Sequence, residues 1–443
     1  MVKTGFETVH LILLNMIVVP AWGIFLFVLF TIVFIIFSWL YLAGTFQRQR
    51  PYHLTGIGAS ESHFLTTIAS MSDSLITAGY PLAFWSDIDT IQAARLELID
   101  QAQTLIQFET FKMSPGKRAK DFADALCRQA IAGVTVQVLA DSYGAKELPA
   151  SYWQRLQNAG VQVLFFNPFS GRSPLDYLRR NHRKLLIVDQ TIAMVGGAGI
   201  SDLWDGKDGK SEQPWYDFEI KWQGDAVGML TGFFWQHWLT AGGHVDLNQH
   251  HPGRSQAATP SPVLITPGEE PSTGDSPIRS LFQLCITSAQ RRLWLASPYL
   301  LPDQITCEML DQACRQGVDV RILTMGPKSD KAYVYYTSRQ RYGPLLRSQI
   351  QIHEYQPSMM HGKIVLIDDD WVSFGSANLD PRSFFHNDEL NLCTNNAQLI
   401  SQVAAFFESG FEQSEVVQLG PWQRRPWQEK LIGRLGNFFY WQL

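Results

Sequence analysis

Forty consecutive positions near the start, Thr8 to Gln47, hold no Lys, Arg, Asp or Glu, and polar residues return in short periods only after Pro51. A helix crosses a bilayer with roughly 20 apolar residues, and the run from Ala21 to Ala43 supplies that length alone. One transmembrane helix with an interfacial lead-in before Pro20 is the expectation; a hairpin of two helices turning at Pro20-Ala21-Trp22-Gly23 is the alternative. The apolar run is longer than the roughly 7–15 residues of a cleaved signal. Arg48 and Arg50 follow the span, while Lys3 is offset by Glu7. The positive-inside rule then puts the remainder of the chain in the cytoplasm, at a cell membrane.

Beyond Pro51 the pattern changes to that of an α/β protein. Apolar periodicity predicts helices over 93–102, 117–132 and 151–159, and strands over 105–111, 134–141 and 161–166. Gly133 and Gly160 end two of the helices just before β-branched runs, which marks α/β units. Residues 246–277 are rich in Pro, Gly, Ser and Thr and read as a linker. His250-His251 within it has no Cys or carboxylate at ligand spacing and reads as a solvated loop, not a metal site. After the linker the first order returns. Helices are predicted over 278–290, 306–316 and 338–346, and strands over 292–299, 318–324 and 350–355. The expected organisation is an anchor (1–50), a first half (51–245), the linker (246–277), a second half (278–418) and an amphipathic, membrane-proximal tail (419–443). The tail mixes Trp, Phe and Tyr with Arg424, Arg425, Lys430 and Arg434, which suits an anionic membrane surface. A terminal helix docked on its own domain fits it equally.

The repetition extends to polar residues. "HRKLLIVD" at 182–189 and "HGKIVLID" at 361–368 lie 179 residues apart, each His 14 residues ahead of a glycine turn at Gly196 or Gly375. That period is too long for a solenoid and suits two homologous halves about a pseudo-twofold axis. Side chains at i and i+2 of a strand share a face, so His182 with Lys184, and His361 with Lys363, each aim at one spot. A lone histidine at a strand edge is ordinarily structural. Two that keep a lysine and an aspartate at matching offsets indicate chemistry.

If the halves face each other, two imidazoles and two ammonium groups converge. The lysines can hold a phosphate's charge, one neutral histidine can attack phosphorus, and the other can donate a proton to the departing alkoxide. Asp189 and Asp368 complete the motif and belong to the candidate set. Their odd offset of seven turns them away from their histidines, so the part expected of them is structural. Each histidine still needs an acceptor on its other ring nitrogen; the candidates are Asp217 in "PWYDFEI" and Glu389 in "NDELNL". No metal and no cofactor is expected, since no carboxylate cage is apparent.

Composition narrows the choice of partner. Lys and Arg total 36 against 41 Asp and Glu, a net charge of -5, which leaves no basic footprint for nucleic acid. Five scattered cysteines without a CxxC pair fit reduced thiols and not a disulfide framework. "GKDGKS" (206–211) mimics the end of a P-loop, but Trp204 occupies the position of its first glycine.

The paired H-x-K-x4-D motif resembles the phospholipase D superfamily from about Phe84 onward. Within it the chain is most similar to bacterial cardiolipin synthases, through "FETF", "RNHRKLLIVD", "VGG", "SPYLLPD", "PKSD", "EYQPSMMHGKIVLID" and "GSANLDPRSF". The resemblance implies two phospholipase D-type half-domains, each a mixed sheet flanked by helices. It also implies phosphatidyl transfer from one phosphatidylglycerol to another through a phosphohistidine, with glycerol released. His182 would be the nucleophile, His361 the general acid and base, and Lys184 and Lys363 the phosphate ligands, joined by Asn378 and the Ser376 hydroxyl. The family carries Asn at the end of the glycine turn in both halves, whereas "VGGAG" has Gly199 where "FGSAN" has Asn378. Those enzymes commonly carry two membrane spans where one is counted here. A hydrolase would use the same residues with water as acceptor. A nuclease is disfavoured by the acidic balance, and a dead scaffold by the intact His and Lys in both halves. Oligomeric state is not legible.

Overall fold

The computed structural model describes residues 21–42, 57–173, 176–206, 211, 213–247, 260–268 and 276–443. The lead-in before Pro20, the His250-His251 pair and most of the expected linker lie outside the described residues.

Ala21–Leu42 forms a helix of 22 residues without a charged side chain, long and apolar enough to cross a membrane. Met1–Arg48 and Gln49–Leu443 are separate compact units. In the second unit, the predicted helices and strands appear within a few residues of their expected places.

The first half contributes β1 (Leu75–Trp85), β2 (Leu105–Thr110), β3 (Thr135–Asp141), β4 (Gln162–Phe166), β5 (Arg180–Asn181), β6 (Leu185–Val188), β7 (Ile192–Gly196) and β8 (Glu219–Gln223). The second half contributes β9 (Ser261–Gly268), β10 (Arg292–Ala296), β11 (Asp319–Met325), β12 (Gln351–Tyr355), β13 (Ile364–Ile367), β14 (Trp371–Gly375), β15 (Asn387–Thr394) and β16 (Ser414–Val416). The sheet runs β16-β12-β11-β10-β13-β14-β15-β9-β1-β8-β7-β6-β2-β3-β4. From the centre outward, β1-β8-β7-β6-β2-β3-β4 mirrors β9-β15-β14-β13-β10-β11-β12, with the same sense of pairing at every step. The duplication is therefore a single mixed sheet whose pseudo-twofold axis passes between the antiparallel strands β1 and β9.

β9 corrects one expectation. It falls inside the segment read as a linker, yet it pairs with β1 and β15 at the middle of the sheet, with Val263, Leu264 and Ile265 buried. Its four-residue run "VLIT" is bracketed by Pro262 and Pro267, and the surrounding turn-forming composition masked a strand whose pairing comes entirely from distant partners. A shared core on one face of the sheet is covered by helices Asp225–Thr240 and Ala397–Glu412, one from each half, and joins residues of both. The opposite face carries two cores, one within the first half and one that joins the second half to Phe64, Ile68, Ile91, Trp204 and Trp215 of the first.

The tail forms helices Leu419–Gln423 and Trp427–Asn437. Gly433 of the longer helix packs on the backbone at Tyr336, Trp422 donates to the Arg339 carbonyl, and Arg339 pairs with Glu429. Trp427, Leu431, Leu435, Phe438 and Phe439 remain exposed. The segment docks on its own domain and still presents an apolar stripe outward.

Candidate active site

β6 begins at Leu185 and β13 at Ile364, so each His and Lys stands in extended chain just ahead of its strand, not at the strand edge. These lead-ins are held by the opposite half. β5 pairs in parallel with the start of β15, and the His182 amide donates to the Asp388 carbonyl at 2.9 Å. Symmetrically, Met360 bridges to Tyr216, and the His361 amide donates to the Tyr216 carbonyl at 2.7 Å. The buried Arg183 guanidinium donates to the carbonyls of Glu389 and Phe233 and further fixes the first lead-in.

The orienting carboxylates cross over in the same way. Nδ1 of His182, in the first half, lies 2.9 Å from Glu389 Oε2 of the second. Nδ1 of His361, in the second half, lies 2.7 Å from Asp217 Oδ2 of the first. The two acids hold equivalent register positions. Gly196 pairs with Glu219 and Gly375 with Asn391, and each acid comes two residues before the paired residue. The first glycine turn makes room for its acid: a Cβ on Gly197 would collide with Asp217 Oδ1. With Nδ1–H donated to a carboxylate, each ring keeps the Nε2 lone pair for chemistry.

Burial dominates the electrostatics. Burial, reinforced by the lysine charges, outweighs Glu389 and pushes His182 down to about 4. Burial and Lys363 likewise outweigh Asp217 and push His361 to about 4. Loss of water lowers Lys184 to about 8 and Lys363 to about 7, against the pull of Glu389 and Asp217. Burial alone would raise both carboxyls, but the facing histidine and lysine hold them below the usual carboxylate range. Each lysine acts on both rings and each carboxylate on both lysines, so the six groups form one electrostatic unit. The lysine ammonium groups fold back onto the carbonyls of His182 and His361.

Asp189 and Asp368 do not join this cluster. Asp189 accepts the backbone N–H groups of Gln103, Thr104 and Leu105, and Asp368 those of Gln290, Arg291 and Arg292. Both have left-handed backbones, with φ of 50° and 52°, a region in which Asp is enriched. They tie the end of each motif strand to the start of its neighbour. Ser376, expected beside phosphate, instead donates to Glu389 and accepts from the Leu390 amide. Ser383 and Asn387 also donate to Glu389. Asn378 lines the cavity over His182, and its Oδ1 is buried without a hydrogen-bond partner. Gly199 has no room for a side chain, since a Cβ there would stand 2.5 Å from the Lys112 carbonyl and 3.0 Å from the Trp204 ring.

Trp204 escaped sequence reasoning as a site residue. Its indole N–H donates to Asp217 Oδ2 at 2.9 Å, and its ring meets His361 edge-on with centroids 5.3 Å apart. His237 was missed as well. It hydrogen-bonds Glu109 and lies 3.1 Å from Asp388, whose carbonyl holds the His182 amide. No local signal marks either, because both act through partners distant in sequence. Among the described residues no group of three His, Cys, Asp or Glu side chains is placed to hold a metal ion.

A family model described as cardiolipin synthase, phospholipase D-like domain, matches residues 96–203 and 283–410, one stretch in each half. The chain belongs to this family. Cardiolipin synthase 1 of Bacillus anthracis is 30% identical over 346 residues, which span 76% of this chain and 67% of that protein. Cardiolipin synthase of Geobacillus sp. (strain WCH70) is 32% identical over 403 residues, 87% of this chain and 78% of that one. Among solved structures, phosphatidylserine synthase from Haemophilus influenzae superposes with a TM-score of 0.66 at 14% identity, covering 86% of this chain and all of that one. This last likeness carries the two-lobed phospholipase D-like fold.

Proposed function

We propose that the protein is a phosphatidyltransferase that makes cardiolipin from two molecules of phosphatidylglycerol at a cell membrane. The observation that carries the reading is the reciprocal pair of His–carboxylate contacts, which leaves two Nε2 atoms free beside two lysines in one electrostatic unit.

The neutral Nε2 of His182 attacks the phosphorus of the first lipid. The P–N bond forms, the P–O bond to glycerol breaks, and protonated His361 gives its proton to the leaving oxygen. Lys184 and Lys363 neutralise the non-bridging oxygens. In the second step His361 takes the proton from a headgroup hydroxyl of the second phosphatidylglycerol. That oxygen forms the new P–O bond as the P–N bond breaks. Both rings are held neutral in the empty site, and the incoming phosphodiester offsets the lysine charges so that His361 can bind its proton. The near-symmetric surroundings keep the reverse assignment of the two histidines under test.

The helix Ala21–Leu42 is proposed to anchor the protein, with its catalytic unit on the cytoplasmic side that Arg48 and Arg50 indicate. The exposed stripe of Trp427–Asn437 is proposed to lie against lipid. The deciding experiment supplies labelled phosphatidylglycerol to membranes containing wild type, His182→Ala or His361→Ala. Cardiolipin formed by wild type alone supports the reading; phosphatidic acid as the wild-type product would make water the acceptor and replace it with a hydrolase.

A further inference from the structure

Lys184 and Lys363 are not the only cations near the nucleophile. A cavity of about 270 Å³ is lined by His182 and Asn378 and also by Arg180, Lys331 and Arg382. Transfer of one phosphodiester occupies the two buried lysines, so any further cation around the same opening that has no carboxylate in contact points to a second source of negative charge.

Arg382 is the informative member. It follows the buried N-cap Asp380 in the short helix Pro381–Phe385, and its guanidinium reaches only neutral oxygens. These are the Leu178 carbonyl at 3.1 Å, Asn387 Oδ1 at 3.3 Å and the Gln442 carbonyl at 3.5 Å. Among the described residues no carboxylate lies within 4.0 Å of it. Burial outweighs the more distant pull of Asp380, Glu389 and Asp141, so its desolvation goes without a contacting anion unless the site meets one in use. Lys331, exposed at the rim, also has no carboxylate within that distance among the described residues, and its ammonium lies 5.4 Å from the Tyr299 ring. Arg180 differs, being paired to Asp141 at 3.3 Å and stacked over Tyr177 at 4.5 Å. It is a fixed part of the wall. Among the described residues Asp380 is the one acidic side chain lining the cavity, and burial pushes it up to about 7, which blunts its negative charge near neutrality. Tyr177, Tyr299 and the half-exposed Tyr333 add aromatic surface suited to glycerol and acyl carbons.

We infer that this cavity is the acceptor subsite, in which Arg382 and Lys331 hold the phosphodiester of the second, anionic lipid while its glycerol hydroxyl reaches the phosphorus on His182. The inference rests on the reaction proposed above and extends it: that reaction needs a hydroxyl, whereas this subsite requires the acceptor to carry a phosphate ester one glycerol away. A neutral alcohol has nothing to offer Arg382.

The test uses the full chain in vesicles with phosphatidylglycerol as donor and three acceptors. Labelled glycerol is the neutral acceptor, read as label entering phosphatidylglycerol. Labelled glycerol 3-phosphate is the soluble anionic acceptor, and a second phosphatidylglycerol, read as cardiolipin, is the lipid one. For Arg382→Gln and Lys331→Gln the ratio of cardiolipin to glycerol exchange should fall about tenfold, the worth of one hydrogen bond to a charged group. Arg382→Lys should recover part of the loss. Lys331 is exposed, so its variant keeps the test open if Arg382→Gln fails to fold. A ratio unchanged in Lys331→Gln, or a loss confined to glycerol 3-phosphate, would overturn the subsite. Wild type making phosphatidic acid and no cardiolipin would instead overturn the reaction on which it rests.

Discussion

Glu389 holds the imidazole of His182 although the two residues are 207 positions apart and belong to different halves of the chain. Asp217 and His361 repeat the relationship in the opposite direction, 144 positions apart. Each half supplies the carboxylate for the other's histidine, so these paired contacts exist only where the two halves meet.

Replacing Glu389 with Gln, or Asp217 with Asn, removes the charge that stabilises the imidazolium and allows the wrong tautomer. Comparable loss of a buried carboxylate behind a catalytic histidine costs about 10⁴ in kcat. Steady-state kinetics on detergent-purified protein, with circular dichroism to show an intact fold, should find this for either variant. A drop under threefold would mean that the carboxylates serve only packing.

The two histidines are separable by leaving group. Expulsion of glycerol needs a proton, so His361→Ala should lower cardiolipin formation by about 10²–10⁴, the usual worth of general acid–base catalysis. p-Nitrophenol leaves without one. A phosphatidyl p-nitrophenol substrate should therefore still release a burst of p-nitrophenol and label His182 in the His361→Ala protein. His182→Ala should give neither, and the opposite outcome would exchange the roles.

Trp204→Phe keeps the edge-on contact with His361 and deletes the N–H donated to Asp217. One hydrogen bond to a charged acceptor is worth about 1.5–3 kcal/mol, so kcat should fall about tenfold or more while KM changes little. An unchanged kcat would leave the ring a packing role alone.

The pH profile of kcat/KM reports the groups of the free enzyme. Lowering pH through about 4 protonates His182 and blocks its attack, so the acid limb should fall there. Raising pH above about 4 also removes from the free enzyme the proton that His361 must donate, so kcat/KM should decline from there and fall more steeply as Lys363 near 7 and Lys184 near 8 lose their charge. The absence of that steeper fall up to pH 10 would show that the lysines keep ordinary pKa values.

Asp368→Ala should act on stability. It strips the acceptor from three backbone N–H groups and leaves a left-handed alanine. An unsatisfied buried donor costs about 1–3 kcal/mol and the strained backbone about 1–3 kcal/mol more. Thermal melts should show the loss, and the folded fraction should keep far more of its kcat than Asp217→Asn does.

The sequence by itself determined the two halves, their order of helices and strands, and the recurrence of His, Lys and Asp at fixed offsets. Those features come from local periodicity and from spacing that a duplication preserves. It also supplied Asp217 and Glu389 as candidate acceptors, without saying which ring each would meet. Only the tertiary structure decided that each acid serves the opposite half, that Ser376 is committed to Glu389, that Trp204 fills the space beside Gly199, and that Ser261–Gly268 is a central strand. The reason is physical. A strand's period is local, but its partner and register are set by which distant edges meet across the pseudo-twofold axis, and that meeting is made by packing of both halves on one shared core.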